Sequence, residues 1–424
     1  MNRIILIGNG FDLAHGMRTS YNDFISYYWY KIISDIKSTK ERLFENTEII
    51  ITRLPRPVYF STIIKFEELH ETLERNGSEL IFKNKFLEYI NNKRQIQNWV
   101  DIENEYYLLL KESFKNENCT YTISQLNSDF TGIQKLLENY LRETENYFKE
   151  NFDKNVANKH LRNSIAYKIY ADFKFKDFTE SAINKKAELE FQNIREHLKF
   201  HDSAMVHPQK IANDKQNRLI SAIGNNAPLK DIRARLLYQS SSDYFDLQPE
   251  EILFLNFNYT FTERLYYDMT WFDLPREVNK NLEKSVIHIH GTTNEKDNNN
   301  VIFGFGDEID EDYKSIENLN ENSYLENIKS TKYFETDNYK KLLEFLNSGD
   351  YQIFIFGHSC GNSDRTLLST LFEHKNCVSI KPFYHKREND DNYSEIVRNI
   401  TRNFSNKAVL RDKVVNKEYC EPLT

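Results

Sequence analysis

The sequence predicts an α/β fold, a parallel sheet assembled from both ends of the chain with a large all-α insertion between them. Three observations carry this. A β-branched run, Ile4 to Ile7, leads straight into glycines at 8 and 10. From Pro249 onward, short apolar runs alternate with helical patterns. Between the two lies a long Lys/Glu/Asn-rich stretch, nearly free of glycine, with apolar residues at helical spacing.

At the N-terminus, the apolar run is too short for a signal peptide and reads as a buried strand. No strand partner lies near it in sequence, so it is expected to join the C-terminal sheet. Ser20, with Asp23 three residues on, has the pattern of a helix start. The insertion is expected to be an irregular helical bundle, with stripes such as Leu136, Leu137, Tyr140, Leu141 and Leu189, Phe191, Ile194, Leu198. Pro55 and Pro57, then Pro208 and Pro228, mark connections in it. The expected strands are 251–259, 285–290, 301–305, 351–356 and 377–384, the last with Pro382 at its end. Helical patterns follow at 261–269, 365–374 and 393–404. The predicted organisation is therefore a split Rossmann-like nucleotide-binding domain, residues 1–26 plus 245–424, and a helical domain, 27–244.

A net charge of −8 argues against broad nucleic-acid binding, which depends on neutralising phosphates. The basic stretch from Lys230 to Arg235 reads as a solvated helix face. No apolar run approaches the ~20 residues that span a bilayer. The cysteines at 119, 360, 377 and 420 are not spaced as CxxC, so no metal site is expected, and reduced thiols in a cytoplasmic protein are the simplest reading.

Five segments could carry chemistry. Gly8-Asn9-Gly10-Phe11-Asp12 follows a strand, where glycines permit a sharp turn and the following amides could face a phosphate. The spacing is not GxGxxG, and a plain tight turn fits equally; Asp12 could hold a ribose hydroxyl or cap the turn. In Asn256-Phe257-Asn258-Tyr259-Thr260, the Thr260/Glu263 pair forms a capping-box pattern that puts Asn258 at a strand-to-helix turn, suited to gripping a ribose or a water, or to satisfying the turn itself. In His288-Ile289-His290-Gly291 both histidines share one strand face. His288 reads as a satisfied core histidine and His290 as a general base. Phe303-Gly304-Phe305-Gly306-Asp307-Glu308 is a second close-approach loop, its acids either functional or simply solvated. Gly357-His358-Ser359-Cys360-Gly361 fits the G-x-S-x-G nucleophile elbow, yet the residues that follow look like loop and helix cap rather than immediate helix, and acid and histidine partners are poorly placed. A loop whose Ser359 and amides touch a ligand is the preferred reading there.

Taken in order, GNGFDLAHGMRTSYNDF, NFNYT, HIHG, FGFGDE and GHSCGNSD resemble the AbiH family of phage abortive-infection proteins, with a weaker echo at residues 99–103. The same series resembles the sirtuin NAD-binding fold. The resemblance implies an anti-phage defence protein with a sirtuin-like nucleotide site, NAD as ligand or substrate, and hydrolysis of the nicotinamide–ribose bond. It implies that Gly8, Gly10 and Asp12 lie by the phosphates and ribose, with Asn9 and Phe11 in the same binding turn, that Asn258 holds the nicotinamide-side ribose, and that His290 is the base. Gly304, Asp307, Gly357, Ser359 and Asp364 join the binding set. The chain departs from sirtuins in lacking the four-cysteine zinc module, in carrying Asn9 and Asp12 where sirtuins have Ala and Ser, and in its helical block. That puts protein deacylation in doubt. A phage or host protein as trigger, and a homo-oligomer, are expected partners. The alternatives are a non-catalytic nucleotide sensor and, behind it, a serine hydrolase at Ser359.

Overall fold

The computed structural model describes the chain apart from residues 56–59, 61–62, 94–98, 117–118, 204–213, 271–272, 275–277, 279–280 and 295–298. Pro57 and Pro208 lie outside the described residues.

The first strand, β1 (Asn2–Ile7), is buried along its whole length. Such a continuous apolar run belongs to a sheet covered on both faces. Its partners come from the far end of the chain. Three short strands intervene, β2 (Phe44–Glu45), β3 (Ile49–Thr52) and β4 (Glu79–Phe82). Then follow β5 (Glu251–Asn256), β6 (Glu283–His288), β7 (Tyr351–Phe356) and β8 (Cys377–Phe383). The main sheet runs β6-β5-β1-β7-β8 and is parallel throughout. Ile5 stands opposite Phe254 on one side and Phe354 on the other.

This order places the first strand in the middle. The chain builds outward to β5 and β6, then returns to the other side of β1 for β7 and β8. The reversal leaves a crevice between the carboxyl ends of β1 and β7, the place where open α/β sheets bind ligands.

Strand alternation separates two cores. Ile4 and Leu6 pack with Leu253, Leu255 and Ile353. Ile5 and Ile7 face the opposite way, with Phe254, Phe356 and the insertion's Ile165, Ile169 and Tyr170. The buried Arg3 fastens the insertion to β1, donating to the carbonyls of Ile169 (2.8 Å) and Ala171 (2.6 Å) between the rings of Phe173 and Phe354.

The insertion is largely helical, but it is not all-α. β2, β3 and β4 form a small antiparallel sheet within it. Ser20 caps the helix Tyr21–Ser38 as its sequence predicts, in a reciprocal box with Asp23.

Two expectations are corrected. The segment Val301 to Phe305 forms no strand of the main sheet. It is extended chain between two cores: Val301, Phe303 and Phe305 enter the insertion's core, while Ile302 faces the sheet's. Phe303 stacks on Phe130 and Phe305 on Tyr107. The helix expected at 261–269 contracts to Arg264–Tyr267. Pro382 lies inside β8, next to its last residue; an outermost strand tolerates the missing N–H.

Candidate functional site

A cavity of about 1160 Å³ opens at the carboxyl ends of β1, β5 and β7. Gly8, Asn9, Gly10, Asp12, Asn258, His290, Gly357, Ser359 and Asp364 line it, so the fold gathers nine of the twelve residues singled out in sequence.

The first turn differs from the expected phosphate cradle. Gly10 donates its amide to the Gly357 carbonyl (2.8 Å), and Phe11 donates to the Gly8 carbonyl (2.8 Å). These N–H groups are consumed by the fold. The glycines serve a backbone crossing: a Cβ on Gly8 would sit 2.5 Å from the His358 Cα, and one on Gly357 would sit 2.1 Å from the Phe11 nitrogen. Gly357 also has φ of 70°, a left-handed backbone that favours glycine. Phe11 itself is core, packed on Phe356, Tyr266 and His15.

Asp12 is fully buried, with Thr260 and Thr262 each donating a hydroxyl at 2.6 Å. Burial pushes its carboxyl up to about 6, against the opposing pull of those hydroxyls. The capping-box reading of Thr260 and Glu263 is therefore corrected. Both side chains turn inward, Glu263 accepting from Asn256 (2.7 Å) and meeting His288 Nε2 at 3.1 Å. His288 is thus a satisfied core histidine. Asn258 donates its amide to the Gly8 carbonyl (3.0 Å), joining the β5 and β1 ends.

The strongest charge cluster surrounds Asp364. Its Oδ1 lies 3.1 Å from His290 Nε2 and 2.8 Å from Lys329 Nζ, and its Oδ2 lies 3.6 Å from His358 Nε2. Lys329 also meets Glu103 at 2.9 Å, and the Tyr333 hydroxyl lies 3.3 Å from His290 Nε2. Burial would raise the Asp364 carboxyl, but Lys329 and His290 hold it well below the usual carboxylate range. Burial, reinforced by Lys329, lowers His290 and keeps it a neutral imidazole, the state a general base requires. A carboxylate oriented on its ring can then stabilise the imidazolium that forms.

Sequence reasoning missed Lys329, Tyr333 and His358. Lys329 sits in the polar run Asn327-Ile328-Lys329-Ser330-Thr331, which reads as surface. Its burial comes from tertiary packing and leaves no local signal.

Gly304 and Asp307 do not line the cavity. Gly304 is pressed against the Asn327 backbone, where a Cβ would meet the carbonyl oxygen at 2.1 Å. Asp307 accepts from Arg365 (3.2 Å) and from the Ile309 amide (3.0 Å). Its close approach is to the protein itself. The nucleophile-elbow reading also loses its geometry. Ser359 is exposed, its carbonyl accepts from Asn399, and among the described residues no imidazole hydrogen-bonds its hydroxyl. Besides Gly357, the left-handed residue of this loop is Cys360 (φ 56°) rather than Ser359, and its buried thiol is pushed well up by desolvation.

Among the described residues no group of three or more His, Cys, Asp or Glu side chains is arranged to hold a metal, and no helix is long and apolar enough to cross a membrane. No curated protein and no solved structure matches the chain. The family model described as bacteriophage abortive infection AbiH matches residues 4–385, spanning β1, the insertion and the sheet through β8, and the chain belongs to that family.

Proposed function

We propose that this abortive-infection protein carries a Rossmann-like, sirtuin-like nucleotide site and hydrolyses NAD at the nicotinamide–ribose bond. One observation carries the reading. Asn258, Asp12 and the His290–Asp364 pair all border a single cavity at the reversal point of a parallel sheet.

In this reading Asn258 and Asp12 hold the nicotinamide-side ribose. The C1′–N bond breaks with its electron pair passing to the nicotinamide nitrogen. Water adds at the electron-poor C1′ and gives its proton to His290, leaving nicotinamide, ADP-ribose and a proton. Because the Gly10 and Phe11 amides are already bonded, the phosphates depend on other donors. Arg387 and Arg402 supply positive charge on the cavity wall. Loss of NAD would halt an infected cell, in keeping with the family.

The test is NAD consumption by purified protein and in phage-infected cells, with Asn258→Ala and His290→Ala beside the wild type. Loss with wild type and none with either variant supports the reading. Protection of infected cells without any NAD loss overturns it and favours the alternative of a non-catalytic nucleotide sensor.

A further inference from the structure

Two helices of the insertion reach the cavity, Ile123–Asn151 with the apolar Leu137 and Leu141, and Trp99–Lys115 with polar residues that include Glu103. The contacts of Trp99–Lys115 recur at helical spacing on one face. Glu103 meets Lys329, and Tyr106 accepts from Asn327. Tyr107 stacks on Phe305 with ring centres 3.9 Å apart. Lys111 and Lys115 pair with Asp312, and Lys111 also with Asp310. These partners all lie in the stretch from Phe305 to Lys329, while Tyr106 also donates to Asn127 within the insertion. That stretch is closed on itself: Lys329 donates its amide to the Phe305 carbonyl, and Phe305 donates to that of Asn327. The helix therefore grips the loop that delivers the Lys329 ammonium to Asp364.

We propose that Glu103 and Lys329 are positioning residues, through which the inserted helix sets the orientation and charge balance of the His290–Asp364 pair. The inference rests on His290 acting as the base in the proposed function. Lys329 is shared between two buried carboxylates, one from the insertion and one from the sheet domain. While Glu103 is ionised it draws on the ammonium, and Asp364 is left freer to hold the imidazole. When Glu103 is protonated, or the helix shifts, Lys329 turns to Asp364 and disfavours the imidazolium. Burial pushes the Glu103 carboxyl up to about 7, with the Lys329 ammonium pulling against it and the Asp364 charge adding to it. The other groups facing His290 are His358, Tyr333 and Tyr259. An event on the insertion thus has a physical route to the cavity: a two-residue ionic bridge whose balance both domains bias.

The test follows the histidine imidazole NMR signals of the full chain against pH, with His290 assigned by its disappearance in H290N. Wild type, E103Q, K329M and K329R are compared, and NAD loss is measured on the same samples. K329M is expected to raise the His290 midpoint by roughly one pH unit or more, since the ammonium is gone and Asp364 remains. K329R is expected to return it toward wild type. E103Q is expected to erase the inflection near pH 7 that Glu103 ionisation gives the His290 signal. Unchanged His290 curves in folded E103Q and K329M overturn the proposal, even if those variants lose NAD turnover, because that pattern marks a merely structural role. Should K329M not fold, the E103Q curve decides. Altered curves beside a wild type that consumes no NAD sink the NAD reading and leave the ionic bridge standing.

Discussion

Thr262 donates its hydroxyl to Asp12 Oδ1 at 2.6 Å, joining positions 250 residues apart in the chain. With Thr260 on the other oxygen, the carboxyl is held from both sides in a buried setting. Its folded pKa is raised to about 6 from 3.8, so the folded state keeps the proton longer than the unfolded chain. The stability this gives is complete below the unfolded value and is lost as pH rises through about 6. Denaturant midpoints of wild type should therefore fall between pH 4 and 6, and Asp12→Asn should flatten that part of the profile. An unchanged slope in the variant would show that Asp12 ionises without penalty.

The backbone crossing of the two glycine turns makes a second prediction. Gly357→Ala combines a left-handed backbone with a Cβ 2.1 Å from the Phe11 nitrogen. It should cost roughly 3 kcal/mol or more. Gly16 is also left-handed (φ 79°) but faces open space, so Gly16→Ala should cost only about 1–2 kcal/mol. Thermal or urea melts of the pair test this, and equal losses would refute the crossing as the cause.

The aromatic seam between insertion and sheet domain makes a third. Phe303 is buried and stacks on Phe130 with ring centres 4.7 Å apart. Phe303→Ala should destabilise by about 3–5 kcal/mol. Phe334, 89 % exposed, is the control, and Phe334→Ala should stay within about 0.5 kcal/mol of wild type. A mild Phe303→Ala variant would mean the seam contributes little.

A fourth concerns Ser359. A fluorophosphonate probe should leave the protein unlabelled, because an exposed serine without an imidazole partner is a poor nucleophile. Labelling that disappears in Ser359→Ala would revive the hydrolase reading.

The strands of the main sheet were legible because burial on both faces demands the apolar runs at 4–7, 251–256 and 351–356. The pattern at 301–305 misled because period-two alternation reports extended chain between two environments and says nothing of ladder partners. Thr260 and Glu263 carried a capping signature, yet the buried demands of Asp12, Asn256 and His288 outweighed a helix start of four residues. The small sheet went unseen because Ile49–Thr52 and Glu79–Phe82 are short runs inside charged surroundings. At the site, residues on strand ends were found, since glycine, asparagine and histidine there are conspicuous. Lys329 was not, because a lysine's burial is decided by which carboxylates arrive from elsewhere in the chain.

The central position of β1 has a consequence for the nascent chain. β1 must wait for β5, which begins at Glu251, and then for β7 at Tyr351. At ~5–20 residues per second of synthesis, the wait for β5 alone lasts roughly 12–50 s. During that interval Ile4 to Ile7 form an unpaired, fully apolar edge, open to chaperones and to aggregation. The cavity itself cannot exist until Asp364 has left the ribosome, so the site is completed only after β1, the insertion and β7 have all been made.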